Sequence, residues 1–122
     1  MAIEGVGLRD GAMTTAAADL SAKQFYAVKL TANNAVNLAN TGGEDIYGIL
    51  QNTPKSGEAA EVCFAGICQA LGNATVAVGQ KLMTDTSGKL IAWISGNTAV
   101  GINMENFVAG QIFTMRVVQT YG

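Results

Sequence analysis

The chain has 122 residues, 49% hydrophobic and 13% charged, and its seven basic and nine acidic side chains leave a net charge of −2 with no histidine. That length suits a single domain that buries a core without disulfide or metal staples. Scattered cations on an acidic balance exclude a nucleic-acid groove, which needs clustered Lys and Arg, and the lack of histidine removes the usual zinc ligand sets and every His-based nucleophile.

The first segment, MAIEGVGLRDG, has neither the basic leader nor the apolar core of a signal peptide, and no apolar run reaches the length of a membrane span. The chain therefore reads as made and kept in a cytosol. Residues 1–19 show no clean period and read as an extended N-terminal arm, anchored by Ile3, Val6, Leu8 and Met13. Such an arm drapes over its own domain, docks onto a neighbour, or frays.

From Leu20 to the end, residues 20–122 read as one β-rich domain. Phe25 to Leu30 is the first expected strand, with Tyr26, Val28 and Leu30 on one face. Asn33-Asn34 turns the chain into a short strand through Val36 and Leu38, which the run Asn40-Thr41-Gly42-Gly43 ends.

Two later stretches echo each other, GILQNTPKSGEAAEVCFAG from Gly48 and GINMENFVAGQIFTMRVVQ from Gly101. Gly48 and Gly101 stand 53 residues apart, as do Gly57 and Gly110. Gly57 and Gly110 each precede an extended run, where a turn wants positive φ at low cost. After Gly57, Ala60, Val62 and Phe64 form the expected apolar face, and after Gly110, Phe113, Met115 and Val117 do the same. Between the echoes, Asp85-Thr86-Ser87-Gly88 is a hairpin signal and Leu90 to Ile94 the returning strand. Trp93, the only tryptophan, reads as a core or interface anchor before a ligand platform.

Short strands at regular spacing, with turn residues between them and no long helical pattern, give an all-β chain. The expected architecture is a compact β-sandwich or small barrel built from two quasi-repeats, with the N-terminal arm extended. Cys63 and Cys68 read as small buried hydrophobes rather than a disulfide. Chemistry is sparse. Glu58, Glu61, Glu44, Asp45 and Asp85 are the available carboxylates, and charged turn residues are usually solvated. Neither cysteine has a histidine to activate it, and Gly5-x-Gly7 is too short for a phosphate-binding fingerprint. The reading is of no enzyme, with no catalytic, cofactor-binding or metal site.

The ordered phrases DLSAKQFYAVKL, DIYGILQNTPKSGEAAEVCFAGICQAL, VAVGQKLMTDTSGKL and VGINMENFVAGQIFTMRVV resemble the phage head decoration, or capsid cement, proteins over roughly Leu20 to Val118. The resemblance implies a structural protein on the outer surface of the mature head in the virion, made in the bacterial host cytoplasm. It would bridge copies of the major capsid protein and stabilise the shell. It also implies a homo-oligomer, a trimer first and a dimer second. In that role Ile3, Val6, Leu8, Met13 and Trp93 are the candidate capsid or subunit contacts, with no nucleic acid, membrane, small-molecule substrate or cofactor. Two other readings stand beside it. One is a carbohydrate- or host-surface-binding β-module of a virion, with Trp93 and Tyr47 stacked on sugar rings; the other is a small hydrolase using Glu58 or Asp85.

Overall fold

The computed structural model describes residues 7–9 and 14–120. Among them there is no helix, and eleven strands join one sheet. They are β1 (Gly7–Arg9), β2 (Thr14–Ala16), β3 (Ala27–Ala32), β4 (Ala35–Leu38), β5 (Gly48–Leu50), β6 (Ala59–Ala60), β7 (Val62–Leu71), β8 (Lys81–Thr84), β9 (Leu90–Ala92), β10 (Ala99–Asn103) and β11 (Ile112–Thr120). The hydrogen-bonded order is β6-β2-β4-β3-β5-β7-β11-β10-β8-β9, with β1 added on β7. Among the described strands β2 and β4 pair in parallel and the other strand pairs are antiparallel, while the isolated bridge from Gly72 to Leu90 is parallel.

The path is open, yet both ends fold back on its middle. Glu61 alone separates β6 from β7, and Leu90 at the start of β9 bridges Gly72, the residue after β7. The buried residues form two core clusters, and β3, β5 and β7 each contribute to both. One cluster gathers Ala16, Leu20, Val28, Val36, Leu50, Ala60 and Val62. The other is larger and includes Ile49, Cys63, Cys68, Leu82, Val100, Phe107, Phe113 and Met115. Within it the Phe107 and Phe113 rings stack with centroids 3.8 Å apart, and each such side chain contributes about 1.5–3 kcal/mol by leaving water.

The strand β7 serves both clusters, which changes the expected alternation. Val62 and Cys63 are neighbours on opposite faces of the strand, and both are fully buried, one in each cluster. Phe64, expected on the apolar face with Val62, is exposed instead. Leu30 likewise parts from Val28: it sits at the tip of the β3–β4 hairpin, where the register shifts between Leu30 and Ala32, and is exposed while Val28 is buried. Met115 and Val117 are buried as their alternation requires. Both cysteines are buried, and no disulfide joins them.

The two echoing stretches share a construction. Gly57 and Gly110 take φ of +84° and +83°, the left-handed region that a turn here demands. Gln51 N donates to Glu61 O and Met104 N to Thr114 O, at 2.7 and 3.1 Å. Inside those bonds, Glu61 N donates to Asn52 Oδ1 and Thr114 N to Glu105 Oε2, at 3.0 and 2.9 Å. At the tips, Lys55 N donates to Glu58 Oε1 and Val108 N to Gln111 Oε1. A Cβ on Gly48 would strike the carbonyl of Cys63, and one on Gly101 the carbonyl of Arg116.

The stretch read as an arm contributes β1 and β2 to the sheet. Thr14 pairs with Ala60, Thr15 with Ala35, and Ala16 belongs to a core cluster. These residues therefore fold with the rest of the chain.

Candidate functional site

The residues singled out for contact do not converge. Ile3, Val6 and Met13 lie outside the described residues. Leu8 stands in β1 opposite Ala65 on β7, and its side chain is also outside the description. Trp93 follows β9, half-buried, with its backbone N donating to Lys81 O. Its indole Nε1 donates to Asn97 O at 2.8 Å, and the Lys81 ammonium stands 4.9 Å from the ring centroid. The indole N–H is therefore committed, and a cation covers the ring. Trp93 and Lys81 line a shallow groove of about 260 Å³ with Gly79, Gln80 and Ala92.

Tyr47 belongs to a different groove, of about 280 Å³, lined by Lys29, Leu30, Asp45, Ile46, Tyr47 and Gln119. The structure thus separates the two aromatic residues that the glycan reading had paired. Tyr47 instead stacks with Phe64, ring centroids 6.4 Å apart at an interplanar angle of 25°. The groove's polar groups are held in place. Lys29 Nζ donates to Asn40 Oδ1 at 2.8 Å and pairs with Glu44 Oε1 at 2.9 Å. Thr98 Oγ1 donates to Asp45 Oδ1, and Ile46 N donates to Gln119 Oε1 at 2.7 Å. Burial pushes the Glu44 carboxyl up, but Lys29 and the N–H groups of Thr41 and Asn40 outweigh it and hold the group below its ordinary 4.5.

The candidate catalytic carboxylates serve turns. Glu58 accepts from Lys55 N across the turn before β6. Asp85 Oδ1 accepts from Ser87 N, Ser87 Oγ and Lys89 N, and Asp85 Oδ2 from Asn73 Nδ2 at 2.7 Å. Burial pushes the Asp85 carboxyl up; the bonds from Asn73, Ser87 and Lys89 outweigh this and hold it below the ordinary 3.8. An ionised carboxylate that closes a hairpin is a poor proton donor near neutrality.

The outer face of the sheet is a second surface feature. Ile102 and Met104 at β10, with Ile112 and Val118 of β11, are exposed, and the cation among them is Arg116, in register with both Ile102 and Ile67. Sequence reasoning missed this face and the Tyr47–Phe64 pair. Alternation identifies which residues share a side of a strand but not whether another layer covers that side.

No family model matches the chain, and no curated protein matches it in sequence. Among solved structures its fold is similar to the head fiber gp8.5 N base of bacteriophage phi29, with a TM-score of 0.70 at 14% identity over 93% of this chain and 93% of that chain.

Proposed function

We propose that this chain is a structural protein of a phage virion that decorates the head. It binds the outer surface of the mature capsid, bridges copies of the major capsid protein and stabilises the shell, without catalysis or a cofactor. The observation that carries this reading is the end-to-end fold likeness to a phage head fiber base. Agreement across 93% of both chains makes the resemblance one of whole architecture rather than of a shared hairpin.

The exposed apolar side chains Ile102, Met104, Ile112 and Val118, set around Arg116, support it, since apolar groups left in water on one side of a sheet suit a contact surface. A cement protein occupies many equivalent sites, so modest contacts at each sum to large stabilisation of the shell. Assembly as a homo-oligomer, a trimer before a dimer, belongs to the same reading, as does docking by residues 2–13.

The test is co-sedimentation of the purified protein with expanded heads that lack it, through a concentration series. Saturation at a simple ratio to the major capsid protein is the expected result, and that ratio chooses between trimer and dimer lattices. Deleting Ala2 to Met13 removes β1 and is expected to weaken binding strongly, with the sheet from β2 to β11 retained by circular dichroism. Folded protein that never sediments with heads overturns the proposal.

A further inference from the structure

We infer that the groove in front of Tyr47 is a binding site for a neutral pyranose of a surface glycan. The inference is independent of the decoration reading and rests on what the groove brings together. A sugar ring presents an apolar C–H face and a rim of hydroxyls, so it calls for an aromatic plane flanked by fixed donors and acceptors. Tyr47 supplies the plane. Phe64 stands outside the groove and braces that ring by stacking on it. Leu30, exposed at the hairpin tip, extends the apolar wall.

Three different polar groups flank it. An ammonium has three donors, and Asn40 and Glu44 hold Lys29 by two of them, which leaves one for a hydroxyl. Thr98 engages one oxygen of Asp45, which leaves the other to accept. Ile46 N fixes the Gln119 carboxamide through its oxygen, so the amide presents its NH2 as donor. Each group is anchored by a neighbour before any ligand arrives, which lowers the ordering cost of binding.

Charge selects the sugar. Lys29 in the groove lining is already paired with Glu44, and Asp45 adds a further carboxylate to the lining, so an acidic sugar meets net repulsion and a neutral one does not. Two other hollows among the described residues lack this combination. At Trp93 the ring is covered by Lys81 and the N–H is spent on Asn97. The hollow of about 500 Å³ over the Val76–Phe107 bridge has no charged side chain in its lining.

The experiment is saturation-transfer NMR on the full chain with methyl glycosides of glucose, galactose, mannose and N-acetylglucosamine, and with glucuronate. At least one neutral glycoside is expected to receive saturation on its ring protons, and glucuronate to bind at least tenfold more weakly. Tyr47→Ala abolishes the signal, Tyr47→Phe retains it, and Asp45→Asn, at an exposed position where the Thr98 bond survives, weakens it about tenfold. Val108→Ser, in the other hollow, leaves it unchanged. Silence from every neutral glycoside, binding that survives both Tyr47→Ala and Asp45→Asn, or a preference for glucuronate overturns the assignment. Head co-sedimentation reports separately on the decoration reading.

Discussion

Glycines that look alike in the sequence are required for two different reasons, and alanine substitution separates them. At Gly57 and Gly110 a Cβ meets open space, so only the positive φ opposes a side chain. Alanine there is expected to cost about 1–2 kcal/mol, and asparagine, which tolerates the left-handed region, recovers part of it. At Gly48 and Gly101 a Cβ runs into the carbonyl of the paired strand, and only moving the backbone apart relieves it. Alanine there is expected to cost about 3 kcal/mol, the upper part of the range for overpacking, with no rescue by asparagine. Urea denaturation of the four alanine variants checks the ranking; equal losses would refute the steric account. Asp85 gives the residue scale a pH signature. Its carboxyl is held below the ordinary 3.8 in the folded chain, so its stabilisation is complete above that unfolded value and is lost as pH falls through the lower folded one. Asp85→Asn is expected to be less stable at neutral pH and to lose stability less steeply than the parent from about pH 4 downward, read as urea midpoints across a pH series.

Among the elements, the two glycine-tipped hairpins were the most legible in sequence, because their signal is local. Gly57 and Gly110, with alternating residues beyond each, place a turn and a strand without reference to the rest of the chain. The pairing of β2 was not legible. Thr14 meets Ala60 and Thr15 meets Ala35 through backbone groups that carry no side-chain code, so a stretch without periodicity read as an arm. The candidate site was less legible still. Tyr47 was noticed as an aromatic residue, but its partner Phe64 was assigned to a buried face, because the alternation through Val62 gave no sign that β7 divides two cores. The hairpins themselves depend on side chains that imitate backbone. Asn52 accepts from Glu61 N and donates to Ala59 O, both at 3.0 Å. Asn52→Ala is expected to cost about 1 kcal/mol through those two bonds, whereas Asn52→Asp, which keeps the acceptor, loses less. A chemical-denaturation comparison in which both variants fall equally would show that the acceptor is not what matters.

For the whole molecule, the question is whether two cores make two folding units. The clusters share three strands, each dividing adjacent residues between them: Ala27 and Val28 on β3, Ile49 and Leu50 on β5, and Cys63 and Val62 on β7. Opening either half takes away a neighbour of β7, since β5 pairs with its first residues and β11 with its last six. A half-folded chain would expose the buried face of β7 along with the unpaired edges of the strands it lost, and both costs rise with the length of strand left bare. The expected behaviour is one cooperative transition. Phe113→Ala removes a ring from the larger core and Leu50→Ala a side chain from the smaller. Each is expected to cost about 3–5 and 2–5 kcal/mol, respectively, by shifting that single transition without splitting it. Far-ultraviolet dichroism reads the sheet as a whole, while Trp93 fluorescence reports from the β8–β9 half, so the two probes should give coincident curves for both variants. If Leu50→Ala instead lost dichroism at a lower denaturant concentration than fluorescence, the two cores would be separate folding units despite the strands they share.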